Sequence, residues 1–281
     1  MARDQPHRAH PASLGLTRSA SGALMGQGDA YFVDIAVPDA VLLDTKLAVQ
    51  PRRSPLEYGA VWYRAHHASS VIQDWTPEQG LGAVAYPVKP SETGACRHPD
   101  GGIAFTTAKN TGLVAEGALS QTQAFTCAVR FDSRDGEART LVTINPTDAD
   151  NYLFLNEKEG ELTWQDQKGS VAVAIPSPPT PAWVVVGYDA GRLSIAACQE
   201  GQRLAPLVTS AAQNPKLSAD LSGSSDLFIG CRSHRKGILK TLGTSRIMDV
   251  LLWSDSFVLA PGAATELNAV CRYAETEGAP E

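Results

Sequence analysis

Downstream of Val61 the sequence breaks into short apolar runs, each closed by Gly, Pro, Asn or Asp, and this punctuation constrains the fold more than any other feature. The runs predict strands over residues 69–75, 102–106, 111–115, 124–131, 139–145, 151–156, 161–166, 170–175, 182–189, 192–198, 226–231 and 244–253. Many short strands at short intervals indicate a β-sandwich or barrel. One helical pattern opens at Pro261 and places Ala263, Leu267, Val270, Cys271 and Ala274 on a single stripe. Helical content is therefore too low for an α/β fold.

Alternation assigns the faces. Val184, Val186 and Tyr188 share one face, and Leu193, Ile195 and Ala197 repeat it across the turn Asp189-Ala-Gly-Arg192. In the last run Val250 and Leu252 point inward, which leaves Asp249, Leu251 and Trp253 on the opposite surface.

Gly101-Gly-Ile-Ala-Phe-Thr106, Thr111-Gly-Leu-Val114 and Ala124-Phe-Thr-Cys-Ala-Val-Arg-Phe-Asp132 resemble the opening strands of concanavalin A-like and laminin G-like domains. Asn151-Tyr-Leu-Phe-Leu155, Glu159-Gly-Glu-Leu-Thr-Trp164 and the run from Trp183 to Ala197 are similar to the central hairpins of that family. Ile247-Met-Asp-Val-Leu-Leu-Trp-Ser254 resembles its closing strand. The resemblance implies an all-β, concanavalin A-like (laminin G-type) antiparallel jelly-roll sandwich over residues 66–275, with a small N-terminal anchoring segment and one C-terminal helix. It also implies a domain that binds a surface glycan. Three departures stand out: a longer final helix, a first 65 residues without counterpart, and a basic stretch over 231–246.

A chain of 281 residues that is 43% hydrophobic allows one large sandwich plus a smaller module. Residues 1–28 carry Arg3, Arg8 and Arg18 against Asp4 and too little apolar matter for a core, the pattern of a flexible or partner-ordered arm. Residues 29–65 form a β-rich anchoring segment with Tyr31, Val33, Ile35 and Val37 alternating, and the connector Pro51-Arg-Arg-Ser-Pro55 lies within it. Residues 276–281 are a tail. With net charge −6, no overall basic field exists to gather nucleic acid. No apolar run approaches the roughly 20 residues of a membrane span, so no membrane insertion is expected. The opening residues lack an apolar secretory core, and synthesis in the cytoplasm is expected. Five scattered cysteines without a C-x-x-C pair suggest small buried hydrophobes rather than a disulfide framework or zinc site.

Glycoside hydrolases on the same fold need two carboxylates about 5 to 9.5 Å apart. Glu157, Glu159 and Glu161 alternate, but Lys158 and Gly160 between them indicate a solvated hairpin tip. Asp148-Ala-Asp150-Asn151 opens like a calcium loop, yet Leu153 stands where an EF-hand needs glycine, so a turn is the better reading. Asp148 and Asp150 remain weak calcium candidates, and no other cofactor is expected. Gly80-Leu-Gly82-Ala-Val-Ala85 mimics a dinucleotide fingerprint without the strand and helix that give it meaning, and it is a loop.

The segment Cys231–Arg246 holds Arg232, Arg235, Lys236, Lys240 and Arg246 with no acid, inside an otherwise acidic chain. Arginine forks match carboxylates and sulfates, so Arg232, His234, Arg235 and Lys236 are candidate contacts for an anionic glycan. Trp164, Asp166, Asp249 and Trp253 form a second candidate surface, because aromatic faces beside carboxylates suit neutral sugars. The expected function is a non-enzymatic adhesion protein that binds host surface polysaccharide. It would be displayed on a phage-like particle as a head spike or fibre and anchored by residues 1–65, and a homo-oligomer is compatible with such a role. The alternatives are a capsid or tail decoration protein with no glycan ligand, and a glycoside hydrolase or lyase with dispersed acids.

Overall fold

The computed structural model describes residues 54–65, 72–89, 96–97, 101–107, 109–234, 239–259 and 264–277. Residues 52–281 form one compact unit. The expected arm and most of the β-rich anchoring segment lie outside the described residues, as does the 276–281 tail beyond Glu277.

Fifteen strands, numbered in chain order, are found among the described residues, and they form two antiparallel sheets. One sheet runs β13 (Val208–Thr209), β12 (Arg192–Gln199), β11 (Ala182–Asp189), β6 (Ala124–Asp132), β15 (Ser245–Trp253), β4 (Ile103–Phe105) and β3 (Cys96–Arg97), with β1 (Val61–Arg64) also paired to β15. The other runs β10 (Ala172–Pro176), β9 (Glu161–Asp166), β8 (Leu153–Lys158), β7 (Arg139–Pro146), β14 (Ser224–Ile229), β5 (Leu113–Ser120) and β2 (Ala85–Pro87). Between the sheets lie the side chains that alternation placed there: Val184, Val186, Tyr188, Leu193, Ile195, Val250 and Leu252 are all buried. Phe125 stacks on Tyr188 with ring centroids 5.6 Å apart, and Trp164 meets Phe125 edge-on at 6.2 Å. Each such large side chain contributes about 1.5–3 kcal/mol by leaving water.

A third layer covers the first sheet. Helix α2 (Ala264–Glu277) presents the expected stripe of Leu267, Val270, Cys271 and Ala274 to Trp62, Trp183, Val185, Leu251 and Trp253. Ala263 lies outside the described residues. The short helix α1 (Pro215–Asp220) is capped by Asn214, whose Oδ1 accepts from the Lys216 backbone N–H at 3.0 Å.

The sandwich starts earlier than the expected boundary at residue 66. Strand β1 pairs Val61–Arg64 with Leu252–Asp249, burying Trp62 against the helix and Tyr63 in the central core. Pro55, Tyr58 and Ala60 pack ahead of it, and the Tyr58 carbonyl accepts from Trp253 Nε1 at 2.8 Å. Of the strand expected over 69–75, residues 72–75 are described, and Trp75 makes an isolated bridge to Ala85.

The outer face of the second sheet is covered in part by the chain leaving β14. Gly230 turns it with φ +72°, where a side chain would also strike the Phe105 ring. Cys231 then settles beside Val88, Val114, Phe228 and Leu242. A Cβ on Gly112 would lie 2.1 Å from Cys231 Sγ, so this contact requires glycine.

Candidate functional site

The structure overturns the second candidate surface. Trp164 is fully buried, and its indole N–H donates to the Gly187 carbonyl at 3.1 Å. Trp253 stands on the face alternation assigned, but α2 and Tyr58 cover that face, so no sugar ring can reach it. Asp249 is buried there too, accepting from Trp62 Nε1 at 2.8 Å and from Arg130 at 3.2 Å. Arg130 also forks onto Glu200 at 2.7 and 3.2 Å. Burial pushes the Asp249 carboxyl up, and Arg130 and Trp62 pull it only part of the way back.

Asp166 ties off the turn between β9 and β10. It accepts from Ser170 Oγ at 2.5 Å, from the Val171 N–H at 2.9 Å and from Asn151 Nδ2 at 3.1 Å. Burial works to raise its pKa, but these hydrogen bonds outweigh burial and hold the carboxyl below the ordinary range. A lowered folded-state pKa stabilises above the unfolded value of about 3.9 and is lost as pH falls through the folded value. Asp166→Asn should therefore lower the melting temperature at neutral pH, with the deficit shrinking in strong acid. A deficit that stays constant across the acid range would show that the carboxylate charge is not what the turn uses.

Two of the candidate contacts in the basic segment, Arg232 and His234, pack against aromatic rings of the second sheet. Arg232 lies down on the second sheet, its guanidinium carbon 3.6 Å from the Phe154 ring centroid and its Nε donating to Thr140 Oγ1 at 3.0 Å. His234 meets Phe228 edge-on at 5.1 Å, and its Nδ1 accepts from the Lys89 N–H at 3.1 Å. Arg246 pairs with Asp132 at 2.9 Å, while Lys240 is exposed. Arg235 and Lys236 lie outside the described residues.

Charge counting did not reveal an open cleft of about 650 Å³ at one end of the sandwich. It is lined by Asp132, Ser133 and Arg134 after β6, by Glu157 and Gly160 of the β8–β9 hairpin, and by the Ser177–Pro181 link. The hairpin tip itself is Glu159-Gly160, both at positive φ, but Glu157 is buried, contrary to the expected solvated run. Its Oε2 accepts from the Ala138 N–H at 3.1 Å and its Oε1 from Ser177 Oγ at 2.5 Å. Thr180 locks to Ser133 in both directions, donating from its hydroxyl at 2.8 Å and accepting the Ser133 N–H at 3.3 Å. The Ser133 hydroxyl is buried with no hydrogen-bond partner among the described residues. The exposed Arg134 completes the rim. The only sequence signal for this cleft was the proline-rich turn at 176–181, which says nothing of what it faces.

Asp148 and Asp150 are both exposed, and among the described residues no group of three His, Cys, Asp or Glu gathers to hold a metal. Calcium takes six to eight oxygen ligands, so this pair does not fit a calcium site. Four cysteines, Cys127, Cys198, Cys231 and Cys271, are free and buried, and burial pushes the Cys127 and Cys231 thiols up to about 12.

Two antiparallel sheets packed face to face around one core make the chain an antiparallel β-sandwich, the architecture that the sequence resemblance implies. No protein-family model matches the sequence, and no curated protein matches it. Similar solved structures include domains LG4-5 of the mouse laminin alpha1 chain, at 15% identity over 63% of this chain and 46% of that one, with a TM-score of 0.38. A GH54 α-L-arabinofuranosidase soaked with a cyclic sulfate inhibitor is 12% identical over 75% of this chain and 52% of that one, with a TM-score of 0.48. Basic winged bean lectin with Tn-antigen is 11% identical over 69% of this chain and 96% of that one, with a TM-score of 0.42. The match thus spans about half the length of the laminin and arabinofuranosidase chains. Likeness at such identities concerns the fold alone. No helix among the described residues is long and apolar enough to cross a membrane.

Proposed function

We propose that the sandwich binds a glycan without cleaving it, and that the ligand sits in the cleft between Asp132 and Pro181. The observation that carries this reading is the cleft's lining. About 650 Å³ is room for a few sugar rings, and hydroxyls, carboxylates and a guanidinium stand beside a row of prolines. A sugar offers the same mixture: hydroxyls that donate and accept, and C–H faces that rest on apolar rings. The buried Ser133 hydroxyl and the exposed Arg134 still have hydrogen-bonding capacity.

Cleavage is the less favoured reading because the acids at the cleft are committed. Both oxygens of Glu157 accept hydrogen bonds from the protein, and Asp132 is held by Arg246. In this reading host surface polysaccharide is the ligand. Residues 1–65 include the attachment to a phage-like particle, in keeping with their polar, arginine-bearing arm. The decoration-protein alternative has no comparable observation behind it.

The test is a glycan-array screen of the full chain, followed by titration of the best polysaccharide and an assay for released reducing ends. Binding without release is expected. Arg134→Ala should weaken it about tenfold, the equivalent of one hydrogen bond to a charged group of about 1.4 kcal/mol. The melting temperature should hardly move, since exposed substitutions typically change stability by under about 0.5 kcal/mol. Release of reducing ends would favour the hydrolase, and a chain that joins particles yet binds no polysaccharide would favour the decoration protein.

A further inference from the structure

We infer that the outer face of the second sheet carries an oxyanion receptor built on Arg232, separate from the cleft and independent of the glycan reading given to it. The other partly buried arginines with a resolved pairing have an acid: Arg64 with Glu78, Arg130 with Glu200 and Asp249, Arg139 with Glu137, and Arg246 with Asp132. Arg232 is the exception. It is only partly exposed, and no carboxylate pairs with it among the described residues. A guanidinium in that position gives up water without gaining a counter-charge, an arrangement that an arriving anion improves.

The side chain is also held ready. Phe154, 4% exposed, forms the floor under the guanidinium, Thr140 fixes Nε, and the Tyr152 hydroxyl borders the group. Stacking on Phe154 and the hydrogen bonds to Thr140 and Tyr152 set the plane of the fork, so little rotamer freedom is left to lose on binding. The strand register places neutral donors around it: Asn156 opposite Thr140, Thr163 opposite Asn156, and Gln165 opposite Phe154. The acids of this face stand one pair further out. Glu161 lies opposite Lys158 and accepts from Thr163, and Asp226 lies opposite Asn145 and accepts from the Gly117 N–H. A fork flanked by amides and hydroxyls suits the oxygens of a sulfate, phosphate or carboxylate, whether free or borne by an acidic polysaccharide.

Arg232→Met tests this, because methionine can still cover Phe154 but carries no charge. The full chain would be melted in sodium sulfate and in sodium chloride at equal ionic strength, then titrated with dextran sulfate and with unsulfated dextran. The parent should gain more from sulfate than the variant does, or should bind dextran sulfate at least about tenfold more tightly. The variant should melt in chloride no lower than the parent. Arg232→Lys, which keeps the charge but loses the fork, should also bind more weakly. Protection by sulfate alone would point to a free anion, and a response confined to dextran sulfate to a polysaccharide substituent. The proposal fails if parent and Arg232→Met respond alike. It fails equally if the variant melts markedly lower in chloride, since Arg232 is then an anchor for the segment. It also fails if Lys240→Ala, which alters an exposed charge of the same segment, weakens dextran sulfate binding as much.

Discussion

Deletion of residues 1–65 should abolish folding, whereas deletion of residues 1–51 should leave a sandwich with one cooperative melting transition. The longer deletion removes β1 and with it Trp62 and Tyr63, both fully buried, on opposite faces of one strand. Truncating one large buried aromatic side chain typically costs about 3–5 kcal/mol. Losing both, together with the backbone pairing along β15, consumes most of a typical stability of about 5–15 kcal/mol. Circular dichroism and thermal melting would separate the two truncations. A folded 66–281 fragment would show that the first sheet tolerates the loss of its β1 edge, and that the boundary expected at residue 66 stands.

Asp249→Ala should be the most damaging substitution of a single charged residue, at about 3–5 kcal/mol, because it leaves Arg130 and the Trp62 indole facing a dry interface with one fewer acceptor. Asp249→Asn keeps an acceptor for Trp62 and should cost less. Replacing Asp249 by Leu and Arg130 by Met together should recover part of the loss, since a well-packed apolar pair avoids the desolvation that a buried ion pair suffers. The pH dependence runs opposite to that of Asp166. With its folded-state pKa raised, Asp249 contributes stability that is fully present below its unfolded pKa and lost as pH rises through the folded value. Urea titrations of the three variants at two pH values would check both the order and the sign.

Hydrophobic punctuation made most of the sandwich legible. Strands β4, β6 to β12, β14 and β15 fall close to the predicted runs, β5 continues to Ser120 past the run predicted over 111–115, and Val184, Val250 and Leu252 point where alternation sent them. The shortest pieces escaped, because two- and three-residue strands such as β2, β3 and β13 have too few positions to show a period. Helix α1 did carry a signal, the Asn214-Pro215 cap, though it is one turn and a half long.

The candidate site failed for a different reason: alternation names a face but not what lies on it. Asp249 and Trp253 were correctly placed on the outer surface of the closing strand, and the stripe of α2 was correctly placed on one side of the helix. An apolar stripe needs an apolar surface to rest on, and Leu251 with Trp253 supplied it. Trp164 beside Asp166 looked like a sugar-binding face, although its alternation with Leu162 already pointed it inward. Arg232 looked like a free surface charge because a count of basic residues cannot register the Phe154 ring beneath it.

The helix docked on the first sheet has a consequence for how the unit can be connected. Tyr58 near its start reaches Glu266 near its end with a hydroxyl-to-carboxylate distance of 2.5 Å, and Trp62 meets Tyr273 at 6.1 Å between ring centroids. The described start and end of this unit are therefore neighbours, both on the helix side, with the Phe154 face turned the other way. A unit whose ends meet can be spliced into a loop of another protein, or joined end to end and reopened elsewhere, without pulling its sheets apart.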